Sequence, residues 1–289
     1  MMKDQAENLR QQLEDYQKKS MAKTLAVISG KGGVGKSNFS LNFAIALAKK
    51  GKRVLLFDMD IGMGNIDILI GRHSTYSIVD FFDRDLSLVD IMTAGPEQIS
   101  IITGGTGLTN LFSLSEVNFS KFMEEFNELL NQYDYILFDM GAGITEDSVK
   151  FLLCVDELIV ICTPEPTAVM DAYSVMKYLH SVNPELPFLL VCNRVLTIKE
   201  GQETITRIQN ALRKFLRKEA IVLGCLPENR TVSNAVSRQV PFIEYDSGSD
   251  VSKALMNLVF RYNNHSFNEE WTLPKSNFLQ NMKRYFLGR

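Results

Sequence analysis

The run from Lys23 to Gly51, "KTLAVISGKGGVGKSNFSLNFAIALAKKG", constrains this chain more than any other. Its first residues are apolar without alternation, the pattern of a strand buried on both faces. A glycine-dense turn follows, then an apolar helical stretch ended by Gly51. Such a strand needs helices on both sides of its sheet. Gly30, Gly35, Lys36 and Ser37 also satisfy G-x-x-x-x-G-K-[ST], in the strand-to-helix context that gives the pattern meaning.

The physics of that loop is phosphate binding. Residues Gly30, Lys31, Gly32, Gly33, Val34, Gly35, Lys36, Ser37 and Asn38 let backbone N–H groups converge on phosphate oxygens at a helix N-terminus. Lys36 supplies charge, and the Ser37 hydroxyl suits Mg2+. Lys31 is one lysine more than the task needs. Beside the phosphates of its own loop it crowds Lys36 or points away. From there it can cross to a second subunit and act like an arginine finger in trans, with ATP held between two identical chains.

The rest of the chain repeats the alternation. "RVLLFD", "YDYILFD", "DELIVIC", "PFLLVCN" and "AIVLGCLP" read as strands. Helical patterns cover 116–131, 144–153, 165–181 and 200–218. The fold class is therefore α/β, a P-loop NTPase with a mostly parallel central sheet and helices on both faces, spanning 21–262. Ligands of such sheets bind at the carboxyl ends of the strands. Asp58, Asp139, Asn193 and Pro227 fall at or just past such ends and predict one site.

Asp58 and Asp139 are the expected holders of the Mg2+ shell. Asp60, two residues past a strand end, is placed to orient the attacking water, and Gly141 to offer a bare N–H to the γ-phosphate. For the base, Asn193 and Arg194 close one strand, and Pro227, Glu228 and Asn229 close another. Leu196 stands where a guanine reader needs a carboxylate, which favours adenine. The simpler use of Asn193 is as a helix cap.

Net charge is −3, so nucleic acid is not expected as a partner of the whole surface. Cys154, Cys162, Cys192 and Cys225 form no C-x-x-C and lie in or beside apolar runs. They read as buried reduced thiols, not as loop cysteines that share a cluster. The N-terminus has no apolar core, and no run of about 18 apolar residues exists. A small-molecule kinase would need a substrate pocket and a lid, and neither has a visible basic motif.

The two ends are distinctive. Residues 4–18 read as a charged helix with a narrow stripe, Leu9, Leu13 and Tyr16, and Asp4 and Glu7 spaced for a capping box. Such a helix is marginal alone and suited to docking. At the other end, Phe278, Leu279, Met282 and Phe286 share a helical face, with Lys275, Lys283, Arg284 and Arg289 as the charges. A basic amphipathic helix of this kind suits an anionic membrane surface or a docking place on its own core, and the two can alternate. The organisation expected is 1–20 as a partner-activating extension, 21–262 as the ATPase, and 263–289 as an extension whose 275–289 helix targets membranes.

"SGKGGVGKS" resembles the deviant Walker A of the MinD/ParA group of P-loop ATPases, "DMDIGMGNID" its first switch, and "DMGAG" its second, with Met140-Gly141 departing from the group's usual pair. The resemblance covers about 22–289. It implies an ATP hydrolase that uses Mg2+, forms a homodimer when ATP-bound, and binds the inner face of the cell membrane reversibly from the cytoplasm. It also implies Lys31 acting in trans, Asp60 placing water, and Asp58 and Asp139 on the waters of the magnesium. "DQAENLR" ahead of such a body resembles the FlhG branch, which controls flagellar number and placement. That likeness implies stimulation of the signal-recognition-type GTPase FlhF by Asp4, Gln5, Ala6, Leu9 and Arg10, with Gln5 at the partner's nucleotide site. It also implies contact with the switch (C-ring) proteins of the flagellar motor. "RKFLRK" is a candidate surface, because Phe215 and Leu216 cannot easily both face the core. The nearest alternative is a ParA/MinD-type ATPase that positions DNA or the division site.

Overall fold

A computed structural model describes residues 21–60, 66–84, 86–104, 116–141, 143, 145–264 and 278–287. Eight strands form one sheet: β1 (Lys23–Ile28), β2 (Val54–Met59), β3 (Thr93–Ala94), β4 (Ser100–Ile102), β5 (Tyr135–Met140), β6 (Glu157–Cys162), β7 (Phe188–Val195) and β8 (Ile221–Pro227). Their order is β3-β4-β2-β5-β1-β6-β7-β8. Every pairing is parallel except the short edge pair of β3 with β4. The uninterrupted apolar runs fold as expected, since β1, β2, β5 and β6 are almost wholly buried.

The helices are α1 (Lys36–Ala48), α2 (Ile66–Ile70), α3 (Ile78–Asp83), α4 (Glu116–Gln132), α5 (Glu146–Leu152), α6 (Pro166–Val182), α7 (Ile198–Leu216), α8 (Arg230–Ser237), α9 (Phe242–Tyr245), α10 (Asp250–Asn263) and α11 (Phe278–Leu287). Side-chain caps fix several starts: Thr145, Thr197, Asn229 and Ser249 each accept a backbone N–H of the first turn. Helix α1 needs no amphipathic face, because ten of its residues are buried between the sheet and α10.

One apolar cluster joins the sheet to α3, α4, α5, α6, α7 and α11. The other joins it to α1, α2, α8, α9 and α10. The strands are also pinned at the end away from the site. Asp156 accepts from the Thr24 N–H at 2.8 Å and from its hydroxyl at 2.7 Å. Three of the four cysteines are buried as read from sequence, but Cys225 is only half-buried, because it borders a cavity between β8, α7 and α10.

The C-terminal helix exists, but its apolar face is turned onto the protein. Phe278 and Met282 are 1% and 4% exposed. Phe278 stacks on Phe138 with ring centroids 5.8 Å apart and an interplanar angle of 11°, and it also meets Phe126 and Phe151. Phe286 lies 6.0 Å from Phe119 and Leu279 is half-buried, whereas Lys283 and Arg284 are exposed. A helix that presents four apolar side chains finds a protein surface of six-carbon rings as good a solvent as lipid. The N-terminal residues Asp4, Gln5, Ala6, Leu9 and Arg10, and Lys275 and Arg289, lie outside the described residues.

Candidate functional site

The glycine loop joins β1 to α1, and its backbone shows why glycine is required. Gly33 and Gly35 have φ of +78° and +89°, which side chains disfavour. At Gly30 the reason is space: a Cβ there would come within 2.2 Å of the Asp171 carbonyl carbon on α6.

The two lysines of the loop face opposite ways. Lys36 is buried, and its Nζ donates to Asp139 Oδ1 at 2.8 Å. Lys31 is turned outward, 2.9 Å from Glu165 Oε2 and 3.3 Å from Thr167 Oγ1 at the start of α6. The Glu165 carboxyl is held below its ordinary range by its hydrogen bond from Lys31.

Asp58 and Asp139 sit side by side on β2 and β5, paired in register. Asp139 is fully buried. Lys36 and Ser40 both donate to its Oδ1, while Oδ2 is buried without a hydrogen-bond partner. Asp58 accepts from the Asp60 N–H at 3.0 Å and the Ile66 N–H at 3.4 Å. Burial, and then the charge of Asp139, push its carboxyl up to about 7. Burial also raises Asp60, against the pull of Lys36. The orphaned carboxylate oxygen of Asp139 is the kind of acceptor that the waters of a hydrated cation satisfy. Gly141 comes close to Asp60, whose Oδ1 would stand 3.3 Å from a Cβ built on that glycine.

A cavity of about 220 Å3 opens beside the loop. Gly35 and Asn38 of the loop line it, together with Asn193, Arg194, Pro227, Glu228 and Asn229, the residues expected near the base. So do Phe39, Leu226, Val232, Phe242 and Val251, which sequence reasoning missed. Asn193 is not a helix cap, since Thr197 caps α7. Its Nδ2 donates to Val34 O at 2.8 Å. Arg194, held at φ 61°, donates to Glu228 at 2.8 Å and to Gly33 O at 3.4 Å. Asn229 both lines the cavity and caps α8. Ser40, Glu165 and Thr167 were likewise missed, because each meets its site partner from a distant segment.

These features have known counterparts. The ParA family model, described as NUBPL iron-transfer P-loop NTPase, matches residues 20–262. The antiactivator FleN of Pseudomonas aeruginosa is 29% identical over 86% of this chain and 87% of its own length. The flagellum site-determining protein YlxH of Helicobacter pylori is 35% identical over 71% of this chain and 69% of its own. The septum site-determining protein MinD of Pyrococcus horikoshii OT3, solved with Mg-ADP, matches with a TM-score of 0.68 at 22% identity, covering 85% of this chain and 98% of that one. With a glycine loop, a buried lysine and an aspartate pair in place, the chain belongs to the ParA family of P-loop NTPases, and it is an ATPase of the MinD-like fold.

Proposed function

We propose that this ATPase dimerises on ATP, associates with the membrane, and regulates the number and location of flagella. The name of YlxH, a flagellum site-determining protein, supports the flagellar part. The observation that carries the nucleotide-gated part is the opposed pair of lysines. Lys36 turns inward to Asp139, while Lys31 turns out toward Glu165. In this reading the outward Lys31 serves the phosphates of a second subunit, as an arginine finger does in trans.

Within one subunit the residues divide the work as follows. Backbone N–H groups of Gly30 to Ser37 hold the phosphates, helped by the field of α1. Ser37, with Asp58 and Asp139 on its waters, would hold Mg2+, which neutralises charge developing on the phosphates. Asp60 orients the attacking water, and Gly141 offers its N–H to the γ-phosphate. The base enters the apolar cavity between Pro227, Phe242 and Val251. The bond from Asn193 Nδ2 to Val34 leaves Oδ1 as the acceptor for the exocyclic amine of adenine. Guanine presents a carbonyl at that position, so ATP is favoured.

The docked α11 supports a two-state membrane reading. Phe278 stacks on Phe138, the neighbour of Asp139 on β5. A rearrangement around Asp139 on binding ATP therefore reaches the seat of the helix, and a released helix presents Phe278, Leu279, Met282 and Phe286 to lipid with Lys283 and Arg284 beside them. The 4–10 segment stimulates the FlhF-type GTPase. Phe215, 65% exposed while Leu216 packs on the core, is an anchor for motor switch proteins amid basic neighbours.

Flotation on anionic liposomes tests this reading. Binding with ATP and little with ADP is expected. Retention on duplex DNA with no binding to lipid would instead favour a ParA-type DNA-positioning role.

A further inference from the structure

Asn42 is fully buried in the apolar layer beneath the sheet, on the inward face of α1. An uncharged amide in such a place is costly unless each of its polar atoms finds a partner. Its partners are specific. Nδ2 donates to Asn38 O at 2.8 Å, one turn back toward the glycine loop. Oδ1 accepts from the Ile243 N–H at 3.0 Å, across 201 residues of sequence. That N–H belongs to the first turn of α9, whose own N-cap, Pro241, offers no side-chain acceptor. The amide of Asn42 thus stands in for the missing cap.

One end of this bridge, Asn38, lines the cavity beside the loop, and so does Phe242, the residue before the other end. A second fully buried polar side chain, Ser252 of α10, donates to Phe242 O at 3.3 Å. The backbone around Phe242 is therefore gripped from α1 and from α10.

We infer that Asn42 is a positioning residue for nucleotide binding: it sets the spacing between α1 and the Phe242 wall, and so the fit of the base, without touching the ligand. This rests on the reading that the cavity receives the base. The phosphates, held by the loop on the other side of Gly35, do not depend on that spacing. Asn42 variants should accordingly lose affinity for the base-bearing part of the ligand alone.

The test compares Mg-ATP, Mg-ADP and inorganic tripolyphosphate by calorimetry on the full chain. Asn42→Ser, too short to reach Ile243, should weaken ATP and ADP by about tenfold, the scale of one unsatisfied buried donor. Tripolyphosphate should bind as it does to the unaltered protein. Phe242→Leu should mimic Asn42→Ser, because it changes the wall directly. A merely structural role would lower the unfolding temperature of Asn42→Ser yet leave the ratio of ATP to tripolyphosphate affinity unchanged, and that result overturns the inference. If Phe242→Leu shifts the ratio and Asn42→Ser does not, the positioning role fails while the base cavity stands. If neither shifts it, the cavity reading itself is wrong.

Discussion

The seat of the C-terminal helix can be weakened without altering the helix. Phe151, on α5, meets Phe138 edge-to-face at 4.7 Å and Phe278 edge-to-face at 5.7 Å. Phe151→Leu keeps the site apolar but removes both ring contacts. Aromatic pairs of this geometry are worth about 0.5–1.5 kcal/mol each beyond their area. The lost contact with Phe278, together with a loosened Phe138, should cost docking about 1–2 kcal/mol. That raises the undocked fraction by roughly 5–30-fold. Burial of Phe278 and Met282 stabilises docking by about 1.5–3 kcal/mol each before the ordering cost of the helix is subtracted, so the net hold is small enough for the change to matter. Global stability of order 5–15 kcal/mol leaves the variant folded. Hydrogen exchange across 278–287 should accelerate by the same factor in ADP. Binding to anionic liposomes in ADP should rise toward the level seen with ATP, while deletion of 275–289 abolishes it in either nucleotide. Faster exchange with no gain in lipid binding would refute the membrane role of the helix. No change in either would refute the claim that the ring cluster holds it.

Asp58 sets a pH slope in the nucleotide-free, metal-free protein. Its carboxyl titrates near 7 when folded, against an ordinary value of 3.8. Between those values the folded state keeps a proton that the unfolded chain has lost, so stability should fall as pH rises from about 4 to about 7. Urea unfolding from pH 5 to 8 should show this slope in the unaltered chain and a flatter one in Asp58→Asn; equal slopes would contradict the assignment. Gln5→Ala should leave ATP binding intact and abolish stimulation of the partner GTPase, and full stimulation by that variant would remove the role given to the N-terminal segment. Phe215→Ala, which removes an exposed ring 6.5 Å from Tyr173 and 5.3 Å from Lys214 Nζ, should lower affinity for motor switch protein with the unfolding midpoint nearly unchanged; undiminished binding would place the surface elsewhere.

The parts legible in the sequence are those encoded locally. Strand and helix patterns follow from periodicity within a few residues, and the observed α6 and α7, Pro166–Val182 and Ile198–Leu216, lie within two residues of the expected 165–181 and 200–218. Gly33 and Gly35 announce their turn because only glycine adopts that backbone readily. Strand ends carrying Asp58 and Asp139 announce a site because parallel sheets place all such ends on one edge. What stayed hidden depends on residues far apart in the chain. Glu165 and Lys31 are separated by 134 positions, Ser40 and Asp139 by 99, and Asn42 and Ile243 by 201. No periodicity marks such pairs. The face of α11 is ambiguous for a different reason: the same apolar stripe satisfies a lipid surface or an aromatic cluster, and the packing of Phe278 against Phe126, Phe138 and Phe151 adds the docked state, which no periodicity encodes.

The central claim is that Lys31 serves the nucleotide of a second subunit. Light scattering of Asp60→Ala and of Asp60→Ala with Lys31→Ala, each in Mg-ATP and Mg-ADP, tests it most directly. The account predicts a doubled mass for Asp60→Ala in ATP alone, and a single-chain mass for the double variant in both nucleotides although it still binds ATP. A double variant that forms the ATP dimer as readily as Asp60→Ala would contradict the claim.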